Sequence, residues 1–168
     1  MQKRNPRILF AAGGTGGHLF PALSIAEEIK KIQPAAEFLF VGARGKIEER
    51  VVPERGYLFR AIWISGMARS LKPGNLLVPI KVFVSLMQSL GHIRNFHPDV
   101  VVGTGGFVTG PVLYAATLLH VPTLIQEQNS YPGFTTRKLS RRVNEVHIGF
   151  ETTIQFLKSA KSVKVSGN

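Results

Sequence analysis

Two glycine-rich loops built to one plan carry the residues best suited to chemistry in this chain. The first reads Gly13-Gly14-Thr15-Gly16-Gly17-His18; the second reads Gly103-Thr104-Gly105-Gly106-Phe107-Val108-Thr109-Gly110-Pro111. Each follows a short apolar run, Ile8–Ala12 or Val100–Val102, and each leads into a helix-like stretch. Strand, glycine turn and helix start together aim bare backbone N–H groups and a helix dipole at an anion. Two such turns in one domain fit a ligand with a diphosphate, or two charged ligands meeting in one cleft. The alternative is a pair of tight turns that let helix and strand pack closely.

His18 closes the first loop. An imidazole there suits a general base, or a hydrogen-bonding group for a substrate hydroxyl or phosphate. The competing reading is a helix-start histidine satisfied by backbone. A third polar loop, Gln126-Glu127-Gln128-Asn129-Ser130, suits sugar hydroxyls and amides, with Glu127 a candidate base. Local capping of the loop is its alternative. The dinucleotide fingerprint fails on named residues: the third glycine it needs is Leu19 in one loop and Val108 in the other. Strand two ends Val41-Gly42 without the acidic residue, and the Walker pattern is absent. His92, His97, His120 and His147 have no metal-ligand spacing. With no cysteine, thiolate zinc sites, disulfides and a thiol nucleophile are excluded. Neither a metal nor a cofactor is expected.

Among 168 residues, 21 Lys and Arg outweigh 10 Asp and Glu, for a formal charge of +11. That balance implies an anionic partner: nucleic acid, phosphorylated substrate or anionic lipid. The basic residues are scattered and lack interleaved aromatics, which argues against nucleic acid. A hydrophobic share of 44% marks a globular chain of single-domain size. The basic N-terminus precedes too short an apolar run for a signal peptide. The stretch from Leu76 is unusual. Leu76, Leu77, Ile80, Val82, Phe83, Val84, Leu86, Met87 and Leu90 cover most of a helical wheel, while Lys81, Ser85, Gln88 and Ser89 share the rest. One core face needs only a stripe of about 100°. With Arg69, Lys72 and Lys81 nearby, the excess suits an anionic bilayer surface. A buried helix or a protein interface are the alternatives.

Strand-like and helix-like runs alternate. Strands are expected near 7–12, 37–41, 57–64, 100–102, 123–125, 145–148 and 163–165. Helices are expected near 20–33, 47–52, 76–96, 111–119 and 135–140, with 151–159 a further candidate. Pro21 suits the first turn of the first helix. The order predicts an α/β fold, a doubly wound Rossmann-like parallel sheet whose ligands bind at the carboxyl ends of its strands. All three polar loops fall at such ends. The ending just after a strand fits a piece of a multidomain protein, or a frayed tail.

Taken together, these motifs resemble the MurG family, peripheral glycosyltransferases that add N-acetylglucosamine to lipid I in peptidoglycan synthesis. Ala12–Pro21, Gly103–Pro111 and Glu127-Gln128-Asn129 are similar to its three signatures, and Ile64-Ser65-Gly66 and His97–Val101 also match. Many members carry histidine where this chain has Gln126. The resemblance implies the N-terminal half of a GT-B enzyme: residues 1–168 as the acceptor- and membrane-binding domain, with the donor-binding C-terminal domain absent. It implies inverting transfer from UDP-N-acetylglucosamine to the 4-hydroxyl of the N-acetylmuramoyl unit, at the cytoplasmic face of the bacterial plasma membrane. His18 would act as base or hydroxyl-positioning group, with Glu127 assisting or orienting its loop. Gly14, Thr15, Gly16, Gly17, Gly103, Thr104, Gly105, Gly106 and Thr109 would hold the acceptor diphosphate, and Asn129 would touch the transferred sugar. Leu76, Leu77, Ile80, Phe83, Met87, Arg69, Lys72 and Lys81 would meet the membrane. The isolated fragment is expected to be inactive. Rival readings are a non-catalytic membrane-docking subunit that binds a lipid carrier, and a related transferase with a diacylglycerol acceptor.

Overall fold

The computed structural model describes residues 4–66 and 77–167. Seven strands form one parallel sheet: β1 (Arg7–Ala11), β2 (Glu37–Ala43), β3 (Leu58–Ile62), β4 (Val100–Gly103), β5 (Thr123–Glu127), β6 (Glu145–Ile148) and β7 (Val163–Val165). Their order is β3-β2-β1-β4-β5-β6-β7. The helices are α1 (Gly16–Ile32), α2 (Ile47–Glu54), α3 (Val78–Phe96), α4 (Thr109–Leu118) and α5 (Phe134–Leu139), with a 3-10 turn at Glu151–Phe156.

The topology follows from burial. β1 and β2 are apolar on both faces, so helices must cover both. One face carries α1 and α2 over Ile8, Phe10, Phe38 and Phe40, with the Phe10 and Phe40 rings stacked at 5.0 Å. The other carries residues of α3, α4 and α5 over Leu9, Leu39, Val101 and Ile125. The chain winds outward from β1 through β2 to β3, then returns through α3 to β4 on the far side of β1. The reversal puts the switch point between β1 and β4, whose ends are level: Ala11 pairs with Gly103. A crevice outside that point is where such sheets bind ligands.

The doubly wound prediction holds, and strand positions agree to within two residues. Two helix expectations are corrected. α1 starts at Gly16 rather than Phe20, so Gly16, Gly17 and His18 form its first turn. Pro21 therefore lies inside the helix rather than in its first turn, and gives no N–H to the Gly17 carbonyl one turn back. Near the C-terminus, the stretch expected to run to residue 159 is only the short 3-10 turn.

Candidate functional site

The polar loops meet at the switch point and are stitched together through one residue. The Thr104 carbonyl accepts from His18 Nδ1 at 3.2 Å and from Gln128 Nε2 at 2.9 Å. The Thr104 hydroxyl donates to the His18 carbonyl at 2.7 Å. A carbonyl only accepts, so His18 Nδ1 carries the proton and, in the neutral ring, Nε2 is left with a lone pair. The ring lies across Gly105 and Gly106, where a Cβ on either would press on it. Gly106 also has φ +82°, and its missing Cβ would collide with the Gly13 carbonyl. The two loops are thus in backbone contact. Beside the imidazole opens a cleft of about 230 Å³, lined by His18, Gly105, Gly106, Asn129, Gly133 and Thr135 among others.

The third loop wraps around Glu127. This carboxylate is buried, accepting from the Asn129 N–H at 3.1 Å, Asn129 Nδ2 at 2.9 Å and the Gly133 N–H at 3.0 Å. These three bonds hold the loop, as the orienting role expects, and Glu127 also lines the cleft beside His18. Asn129 is exposed, with one amide N–H tied to Glu127.

Several expected diphosphate donors are engaged inside the protein. Thr109 is fully buried, its hydroxyl close to the Ala11 and Gly105 carbonyls and accepting from the Gly105 N–H. Thr104 is fully buried too, and its N–H donates to Ala11. Gly103 is a packing glycine, since a Cβ there would strike Thr109 and Leu113. The Gly14 N–H donates to Glu48 Oε1 at 3.0 Å. These groups shape the loops rather than present themselves to a ligand. The N–H groups of Gly16, Gly17 and Gly106 have no partner among the described residues, and Thr15, the exposed N-cap of α1, makes no capping bond with its side chain. Among the glycines expected to donate, unpartnered N–H groups thus lie in the first turn of α1 and at Gly106.

Sequence reading missed Glu48. Fully buried under the first loop, it accepts at one oxygen from both Gly14 and Ala43 N–H groups. Glycine at 13 and 42 makes room for it, since a Cβ on either would collide with its side chain. The one available signal was Gly42 inside an apolar strand, a mark of close approach. Phe107 was quoted only within a motif, yet its ring covers Gly14 and touches Gly66.

The helix expected to face a membrane buries two serines, exposes apolar side chains in its first half, and packs Ile93 and Phe96 into the core at its end. Ser85 and Ser89 are buried, their hydroxyls donating to the Val82 and Ser85 carbonyls one turn back. Leu77, Ile80, Phe83 and Met87 are 44–63% exposed. The two serines lie on the buried side of α3 rather than on an outer polar stripe. Lys81 Nζ donates to Ser65 Oγ at 3.0 Å and sits over the Trp63 ring. Leu76, Arg69 and Lys72 lie outside the described residues. No described helix is long and apolar enough to cross a membrane.

Known proteins bear on the family and the fold. A sequence model of the glycosyltransferase family 28 N-terminal domain matches residues 8–148. A Bacillus cereus protein named UDP-N-acetylglucosamine--N-acetylmuramyl-(pentapeptide) pyrophosphoryl-undecaprenol N-acetylglucosamine transferase 1 is 44% identical over 162 residues, covering 96% of this chain and 44% of that protein. A Christiangramia forsetii transferase of the same description is 44% identical over 99% of this chain and 45% of its own length. The chain thus spans under half the length of these curated relatives. The crystal structure of Acinetobacter baumannii MurG superposes with TM-score 0.78 at 29% identity, over 97% of this chain and 45% of that one. A Rickettsia bellii UDP-N-acetylglucosamine 2-epimerase, TM-score 0.65 at 13% identity over 99% of this chain and 45% of that one, shares the fold alone. On its sequence match and its geometry, the chain belongs to the glycosyltransferase family 28 N-terminal domain family.

Proposed function

We propose that this chain is the acceptor-binding half of a transferase that moves N-acetylglucosamine from UDP-N-acetylglucosamine to a lipid-linked N-acetylmuramoyl sugar. The observation that carries the reading is the Thr104 clasp, which holds His18 with Nδ1 protonated and its ring on a cleft bordered by Asn129. The diphosphate of a polyprenyl-linked acceptor lies against the N–H groups of Gly16, Gly17 and Gly106. The sugar 4-hydroxyl reaches His18 Nε2. Its oxygen attacks the anomeric carbon as the bond to UDP breaks, and its proton passes to the imidazole. The donor is held mainly by a second domain outside this chain, and the reaction inverts the anomeric centre. Positioning and fixed N–H dipoles contribute more to rate than proton transfer alone. The exposed apolar face of α3 rests on the anionic inner surface of the bacterial plasma membrane.

In the full-length enzyme, His18→Ala should lower kcat about 10²–10⁴-fold with little change in stability. Unchanged kinetics would remove the base. Residues 1–168 alone should show no transfer and little affinity for UDP-N-acetylglucosamine by calorimetry. Tight donor binding by this fragment would contradict the division of labour. Preference for diacylglycerol over lipid I as acceptor would reassign the substrate.

A further inference from the structure

An apolar groove of about 500 Å³ runs between α3, α4 and α5 on the side of the molecule where α3 exposes its apolar residues. Val82, Leu86, Phe107, Tyr114, Phe134 and Leu139 are among the side chains that line it. Its volume lies within the range of small-molecule sites, about 300–1,000 Å³. Phe134 and Thr135 line both this groove and the His18 cleft, so the two are adjoining parts of one surface. Lys138 lines the groove as well, its ammonium 5.7 Å from the centre of the Phe134 ring, placing a cation near the junction. An occupant of both spaces is anionic and polar at one end and an apolar chain at the other. We infer that the groove takes the first isoprene units of a polyprenyl chain whose diphosphate lies in the cleft. The choice of occupant rests on the acceptor reading above and on the pyrophosphoryl-undecaprenol in the relatives' names.

Capture of a chain in a groove is a different act from adsorption on a bilayer, and the two use different residues. Val82 lines the groove; Phe83, 63% exposed, does not. The test titrates residues 1–168 with geraniol, farnesol and geranylgeraniol, neutral prenols that need no anion site, and follows methyl resonances. Affinity should rise about fivefold or more from geraniol to farnesol, then level off once the groove is full. Shifts should concentrate at Val82, Leu86 and Leu139. Val82→Trp, which fills the groove from an exposed position, should weaken farnesol binding at least about tenfold. Phe134→Asp at the junction should do the same if the Trp variant fails to fold. Phe83→Asp should leave prenol binding intact while reducing co-sedimentation with anionic vesicles. Affinity that climbs with length without levelling, shifts centred on Ile80 and Met87, or folded groove variants that bind as the parent does would each overturn the groove. Inorganic pyrophosphate, read at the Gly16, Gly17 and Gly106 amides, tests the anion site separately. Its failure would remove the diphosphate reading and leave the prenol result standing.

Discussion

The rim of the sheet and the outer side of α3 handle polarity in opposite ways. At the rim, buried polar groups find partners within the chain: Thr104 and Thr109 bond across loops, and Glu127 bonds within its own. On α3 Ser85 and Ser89 face inward, bonding to their own helix, and Ile80, Phe83 and Met87 face out, while Ile93 and Phe96 pack into the core. A buried polar group without a partner costs free energy, so most buried polar groups of the rim are paired inside the chain, while Glu48 Oε2 is buried without a partner among the described residues. The apolar surface of α3 is left exposed, and contiguous patches of this kind mark interaction sites. The contrast separates a region organised by internal hydrogen bonds from a region that leaves apolar surface exposed.

The largest break in that contrast should come from Gly106→Ala. It combines φ +82° with a backbone collision at Gly13, so urea melts should show a loss of about 3 kcal/mol or more. Gly45→Ala is its control: φ is +70° but the space is open, and only about 1–2 kcal/mol should be lost. Equal losses would mean that the two loops do not touch. Next comes Glu48→Ala, which strands the Gly14 and Ala43 N–H groups and should cost about 2–3 kcal/mol, with the Gly14 amide resonance displaced. Glu48→Gln keeps an acceptor and should lose less. On α3, Ser85→Leu should overpack a buried position and cost about 1–3 kcal/mol. Phe83→Ser, adding a polar group where apolar surface already faces water, should change stability by no more than about 0.5 kcal/mol. A destabilising Phe83→Ser would show that the outer face is packed after all.

The smallest effect concerns His92. Burial, with a lesser contribution from the nearby Arg60 charge, holds its pKa below the usual value, while a hydrogen bond at Ala61 opposes the shift. The unfolded chain takes up this proton at about pH 6.5, the folded chain only at lower pH. Between those values the unfolded state binds more protons, so stability rises with pH. The His92 penalty is absent above about pH 7 and grows as pH falls through about 6.5. His92→Gln should flatten that part of the stability profile; an unaltered slope would assign it to another group.

Periodicity and glycine placement made the sheet, its winding and the three loops legible, because β1, β2 and β4 are near-continuous apolar runs punctuated by glycine. The sequence also named His18, Glu127, Asn129 and the excess of apolar surface on α3. It did not distinguish a threonine that meets a ligand from one that ties two loops, since Thr15, Thr104 and Thr109 sit in similar local patterns. Only the tertiary structure separated them, by leaving Thr15 exposed and burying the other two against carbonyls far away in sequence. Glu48 stayed hidden for the same reason. Its partners lie on the loop after β1 and at the end of β2, and no local spacing encodes a contact between segments brought together by folding. Local chemistry sets which elements form and where they turn. Which polar atom is left free for another molecule depends on every distant atom that reaches it first.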